Sequence, residues 1–138
     1  MLTKNKLQKL QISVIGLGYV GLPLAISLSK YFLTKGFDID KFKIDNLKKN
    51  IDINKQFSKL ELRKSKILYS TNIYDFKNTD IFIITVPTPI NKKKLPDLSN
   101  LRDATKLVSK VLNKNNIVVY ESTVYPGCTE EFCGNLIE

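Results

Sequence analysis

The sequence predicts an α/β fold of the Rossmann type, a doubly wound, mostly parallel sheet with helices on both faces, in a single domain. Three observations carry this. Short apolar runs alternate with segments of helical period, the runs are rich in β-branched residues, and a glycine cluster separates the first run from the first helix. At 138 residues, 43% hydrophobic and 25% charged, the chain can bury one core without disulfides or metal.

Residues 11–15 read as the first strand, an apolar run closed by glycines. From Gly21, the positions Leu22, Leu24, Ala25, Ile26 and Leu28 predict an apolar helix to about Lys30, with Pro23 tolerated in its first turn. Residues 31–37, aromatic and aliphatic, predict the second strand, which ends on Asp38-Ile39-Asp40. A helix over 41–50 comes next, then a short one over 57–64 within a polar stretch, then a third strand over 67–70. Residues 81–86 form an unbroken β-branched run expected in the middle of the sheet, covered on both faces. Pro87 and Pro89 then remove two backbone donors and open an exposed, basic loop to Pro96. Ser99 is the expected cap of a helix running to about Asn113, with Leu101, Ala104, Leu107, Val108, Val111 and Leu112 on its buried face. Residues 116–121 predict another buried strand and 122–127 a turn, and Thr129-Glu130-Glu131 opens a last helix. The predicted order is β, α, β, α, β, β, α, β, α, with no repeat, low-complexity tract or linker.

Composition removes several function classes. With no His in the chain, His-containing zinc sites and His-based triads are impossible, and no metal is expected. Cys128 and Cys133 stand five apart and read as quiet helix residues with no cationic neighbour in sequence to activate a thiol. The longest apolar runs, such as Ile81-Phe82-Ile83-Ile84, fall far short of the roughly 20 residues of a spanning helix, so no membrane partner is expected. The start of the chain, residues 1–6, is polar and basic and does not read as a signal peptide, so a soluble cytoplasmic protein is expected. Net charge is +9, but of the 22 basic residues only Arg63 and Arg102 are arginines, and Lys92-Lys93-Lys94 is the one lysine run. That skew favours a solvated lysine-rich surface over a nucleic-acid site.

The chemistry concentrates at Gly16-Leu17-Gly18-Tyr19-Val20-Gly21, a G-x-G-x-x-G between a strand and a helix. In that context Gly16 makes the tight turn, Gly18 lets a pyrophosphate approach the backbone, and Gly21 lets helix and strand close up. The phosphates would rest on the helix N-terminus, where free N–H groups and the macrodipole favour an anion. An acidic residue is required about twenty positions on, at the tip of the second strand, and Asp38 lies there, with Asp40 competing for the role. Its carboxylate would accept from the ribose hydroxyls and repel a 2′-phosphate, and with no Arg nearby NAD is expected in preference to NADP. Thr88, Glu121 and Thr123 fall where strands end at the ligand-binding edge of such a sheet, with backbone-satisfying roles equally open to their side chains.

Four motifs in order then resemble one family. They are residues 15–25, Gly36-Phe37-Asp38-Ile39-Asp40, Val86-Pro87-Thr88-Pro89, and Glu121-Ser122-Thr123-Val124-Tyr125-Pro126-Gly127. Together they resemble the NAD-binding domain of the UDP-glucose/GDP-mannose dehydrogenases over nearly the whole chain. Pro96-Asp97-Leu98-Ser99 and residues 120–131 look most like the subgroup acting on UDP-N-acetylhexosamines in capsule and O-antigen synthesis. The resemblance implies oxidation of a nucleotide sugar's C6 alcohol to a carboxylate, in two hydride transfers to NAD through a thiol-bound intermediate. It places Gly16, Gly18, Tyr19, Val20, Gly21 and Asp38 on the dinucleotide, Thr88 and Glu121 along it toward the nicotinamide, and Thr123 near the cofactor, water or substrate. The family's catalytic cysteine and sugar pocket belong to a later domain, so residues 1–138 are expected to be the cofactor domain alone, and Cys128 is not that cysteine. Full-length relatives are homodimers through a later helix, so this chain is expected to be monomeric and to bind NAD without turnover. Competing readings are a hydroxyacid or 6-phosphogluconate type dehydrogenase, a non-catalytic nucleotide-binding module, a methyltransferase-like domain opposed by Gly21 and the Pro87-Thr88-Pro89 loop, and a basic nucleic-acid binder.

Overall fold

A computed structural model describes residues 9–124 and 126–137; the basic segment at residues 1–6 and Tyr125 of the expected turn lie outside the described residues. In chain order the elements are β1 (Gln11–Ile15), α1 (Gly21–Leu28), β2 (Leu33–Phe37), α2 (Lys41–Lys48), α3 (Lys59–Ser65) and β3 (Leu68–Ser70). A 3₁₀ turn (Ile73–Phe76), β4 (Ile81–Ile84), α4 (Ser99–Ser109), β5 (Ile117–Tyr120), a π-helical turn (Thr129–Gly134) and α5 (Asn135–Ile137) complete it. All five strands join one parallel sheet in the order β3-β2-β1-β4-β5. The chain winds outward from β1 to β3 and then crosses back to β4, so the sheet's direction of winding reverses between β1 and β4. In open α/β sheets ligands bind outside the carboxyl ends of the strands at such a reversal.

Neighbouring residues of β1 serve opposite faces. Val14 joins Leu17, Leu22, Ala25, Ile44, Leu47 and Leu62 in the core beneath α1, α2 and α3. Ile15 joins Phe37, Phe82 and Ile84 beneath α4, with Leu101, Ala104 and Val108 filling from the helix side. Full burial of aliphatic side chains of this size stabilises by about 1.5–3 kcal/mol each, so α4 is held by its apolar stripe more than by intrinsic propensity.

The structure departs from the sequence expectations in five places. Tyr31 and Phe32 precede β2, because their N–H groups still bond back to the Leu28 carbonyl in the turn that ends α1. β4 stops at Ile84, since the Thr85 hydroxyl turns to the Ile15 and Gly16 carbonyls, and Ile81 and Ile83 are only half-buried. Ser99 is not the cap of α4; it is the first helical residue, and its N–H is received by Asp97 Oδ1 at 2.9 Å. β5 is half-buried where a buried strand was expected, because it is the edge of the sheet. The last helix opens as a π turn, which brings Cys128 and Cys133 into the same core. In an α-helix, residues five apart point about 140° away from each other, and the wider π turn narrows that divergence.

Candidate functional site

A cavity of about 320 Å³ opens at the reversal point. Its wall is built from Gly16 and Gly18 after β1, Asp38 and Ile39 after β2, and Lys43 in the first turn of α2. Thr85, Val86 and Pro87 after β4, and Asn100, Asp103, Ala104 and Leu107 of α4, close the other side. Asn100 Nδ2 donates to the Pro87 carbonyl at 3.1 Å, which ties the helix side to the loop side.

The glycine turn is shaped by contacts that only glycine permits. Gly16 sits at φ +98°, in the region side-chain-bearing residues avoid, while its N–H continues the ladder to the Phe37 carbonyl at 2.8 Å. A Cβ on Gly21 would lie 1.8 Å from the Gly16 oxygen and 2.5 Å from Thr85 Oγ1, so α1 starts this close to β1 and β4 only with glycine there. A Cβ on Gly18 would meet nothing within 4 Å, which leaves that backbone open to approach. Among the described residues the N–H groups of Gly18, Tyr19, Val20 and Gly21 have no hydrogen-bond partner, and α1 has neither a side-chain cap nor an acidic residue in its first turn. Orphan donors and an uncapped dipole beside an open glycine suit a pyrophosphate.

Asp38 is 7% exposed and sits on the cavity wall. Its Oδ2 accepts from the Leu17 N–H at 2.8 Å and from Lys43 Nζ at 2.7 Å, and its Oδ1 accepts from the Asp40 N–H at 3.0 Å. Asp40 is exposed and caps α2 through Lys43 N–H at 3.1 Å, so the geometry gives the two acids different work. Among the described residues no Arg stands near Asp38, as expected, but Lys43, a cation the sequence reading did not weigh, forms a largely buried ion pair with it. Sequence reasoning passed over Lys43, although a lysine in the first turn of a helix opposes the macrodipole and implies a carboxylate nearby.

The remaining candidates divide. Gly16 and Gly18 share the cavity wall with Asp38, while Gly21 lies buried behind it. Tyr19 (70% exposed) and Val20 project outward from the turn. The Thr88 hydroxyl donates to the Thr123 carbonyl at 2.8 Å, joining the loops after β4 and β5, and neither residue lines the cavity. Glu121 is exposed and anchored through its N–H to the Ile84 carbonyl at 2.9 Å. Cys128 and Cys133 are fully buried free thiols, and burial pushes the Cys133 thiol above its usual range. Among the described residues no helix is long and apolar enough to cross a membrane.

Comparison with known proteins bears on this geometry. Residues 10–138 match the NAD binding domain of the UDP-glucose/GDP-mannose dehydrogenase family. The chain is 49% identical to the UDP-N-acetyl-D-glucosamine 6-dehydrogenase of Salmonella typhi over 92% of its own length and 30% of that protein's. It is 44% identical to the Pseudomonas aeruginosa enzyme of the same name, over 96% and 32%. The solved UDP-D-ManNAc dehydrogenase of Pyrococcus horikoshii superposes with a TM-score of 0.83 at 31% identity, covering 93% of this chain and 32% of that one. The chain thus spans about a third of the length of the relatives it matches. The turn from β1 into α1, the carboxylate at the tip of β2 and the match across residues 10–138 agree: the chain belongs to the UDP-glucose/GDP-mannose dehydrogenase family, as its NAD-binding domain.

Proposed function

We propose that residues 1–138 hold NAD for a nucleotide-sugar 6-dehydrogenase that oxidises the C6 alcohol of a UDP-N-acetylhexosamine to the uronic acid, for capsule or O-antigen precursors. The observation that carries this is the cavity itself, which brings an open glycine turn, an uncapped helix start and one carboxylate onto a single wall. NAD supplies the hydride acceptor, and two molecules of it take the alcohol and water to a carboxylate, two NADH and three protons. This chain's own residues bind and orient. The free N–H groups of Gly18, Tyr19 and Val20 receive the pyrophosphate, and Asp38 accepts from the adenosine ribose hydroxyls. Apolar Val86, Ala104 and Leu107 give the cavity a dry wall. Thr88 and Thr123 act by setting the loops after β4 and β5 through the 2.8 Å bond between them, and Glu121 stands beside them at the end of β5, toward the nicotinamide end.

The nucleophilic cysteine comes from outside these residues, a reading supported by the complete burial of Cys128 and Cys133. Full-length protein is read as a cytoplasmic homodimer and this chain alone as a monomer. Calorimetric titration of the purified chain with NAD and with NADP, followed by an assay for NADH with UDP-N-acetylglucosamine, tests the reading. We expect binding of NAD in preference to NADP, and no NADH. Absence of NAD binding overturns the cofactor role, and sugar-dependent NADH overturns the division of labour.

A further inference from the structure

One peptide plane in the glycine turn is gripped at both ends. The carbonyl of Gly16 accepts from Thr85 Oγ1 at 2.6 Å, and the N–H of the same peptide unit, on Leu17, donates to Asp38 Oδ2 at 2.8 Å. The C=O and N–H of a trans peptide point in opposite directions, so the two side chains, one from the end of β4 and one from the end of β2, oppose any rotation of the plane between them. Thr85 is 8% exposed, and its single hydroxyl proton has two carbonyls within reach. The Ile15 oxygen, at 3.2 Å, already receives the Thr85 N–H at 2.9 Å, which leaves the shorter contact to Gly16 as the hydroxyl's own bond.

The direction of that carbonyl matters. It points into the junction between α1 and β4, since a Cβ on Gly21 would lie 1.8 Å from it. Reversing the plane would turn the oxygen toward Asp38 and the cavity, setting a negative dipole against a carboxylate where an anion is to be received. We propose that Thr85 is a positioning residue for dinucleotide binding: by holding the Gly16 carbonyl in the helix–strand junction, it keeps that oxygen out of the cavity and presents the Leu17 N–H to Asp38. Asp38 carries a double duty as a result, with Oδ2 committed to the turn and to Lys43 while Oδ1, which among the described residues accepts only from the Asp40 N–H, keeps acceptor capacity for a ribose hydroxyl. The inference rests on the cofactor reading above.

The test compares the wild-type chain with Thr85→Val, which keeps the shape and loses the hydroxyl, and Thr85→Ser, which keeps the hydroxyl and loses the methyl. NAD dissociation constants are read by calorimetry, and the Leu17 amide is followed by NMR without ligand. The valine variant should bind NAD about tenfold more weakly, the scale of one hydrogen bond, with the Leu17 amide shifted upfield or broadened. The serine variant should stay within about threefold of wild type with its Leu17 signal in place. Wild-type affinity in a folded valine variant overturns the proposal, as does a serine variant as weak as the valine one. Where circular dichroism shows the valine protein unfolded, Thr85→Ala takes its place with the same expectations. A wild-type chain that does not bind NAD rejects the cofactor reading instead, and the Leu17 amide then still decides whether Thr85 fixes the plane.

Discussion

In the proposed reading Asp38 is the residue on which cofactor choice turns, and its surroundings argue both ways. Its carboxylate repels a 2′-phosphate, yet Lys43 Nζ, 2.7 Å away and largely buried, is a cation in reach of the same place. In the native pair the lysine is engaged by Asp38, so on the proposed reading the acid dominates and NAD is favoured over NADP. Asp38→Asn removes the charge, frees Lys43 and keeps the side chain's shape. Charge-assisted hydrogen bonds contribute about 1.5–3 kcal/mol, so NAD affinity should fall about 10- to 100-fold while NADP loses less, narrowing or reversing the preference. Paired titrations of the variant with the two dinucleotides check this, and an unchanged preference would remove Asp38 from the selection. The motif glycines and Asp38 were legible in the sequence because each answers to a short-range rule, a turn, a close approach or the tip of a strand. Lys43 and Thr85 were not, since what makes them matter is a partner brought up by folding: Thr85 reaches Gly16 from just past the end of β4, 69 residues along the chain.

At the scale of elements, patterning located the strands and helices and missed how their ends are tied. Periodicity marked α4 but assigned its cap to Ser99, because Ser-before-apolar is the commoner start; Asp97, two residues earlier, receives the Ser99 N–H, and no local pattern separates the two. The edge position of β5 was likewise invisible, because strand order is a property of the whole sheet. α3 shows the opposite case, a helix in the least informative stretch of sequence that is held by a complete capping box. Ser58 Oγ accepts from the Glu61 N–H at 3.3 Å, and Glu61 Oε2 accepts from the Ser58 N–H at 2.8 Å. Ser58→Ala should therefore cost about 1 kcal/mol of stability, measured by urea unfolding. The hydrogen bonds from the Ser58 side chain and backbone hold the Glu61 carboxyl below its usual value of 4.5. A lowered folded pKa contributes stability that is fully present above the unfolded value and fades as pH falls through the folded one. The wild-type minus Ser58→Ala difference should thus be constant near neutrality and shrink below about pH 4.5; a difference that grows in acid would reverse the sign of this argument.

For the whole molecule, the sheet separates two cores, and a tyrosine reports on each. Tyr69 lies against the cluster under α1, α2 and α3, and Tyr120 against the cluster under α4, with its hydroxyl 3.1 Å from that of Thr105. Burial pushes both phenols up to about 12 from the ordinary 10. The charged phenolate is the form burial disfavours, so the folded protein keeps both protons at pH values where the unfolded chain has released them. A raised folded pKa contributes stability that is complete below the unfolded pKa and is lost as pH rises through the folded one. Melting temperature should therefore decline between pH 10 and 12, over the interval that separates the two values. Tyr69→Phe isolates the tyrosine part by removing one phenol while keeping the ring. That variant should show a shallower alkaline decline than wild type. The two layers share β1, whose Val14 and Ile15 serve opposite cores, so the molecule should unfold in alkali as one unit. Tyrosinate absorbance assigned to Tyr69 by difference against the variant should then rise together with loss of the far-ultraviolet circular dichroism signal. Ionisation of Tyr69 near pH 10 with the helical signal intact would show that its layer opens separately, and that the sheet does not couple the two cores.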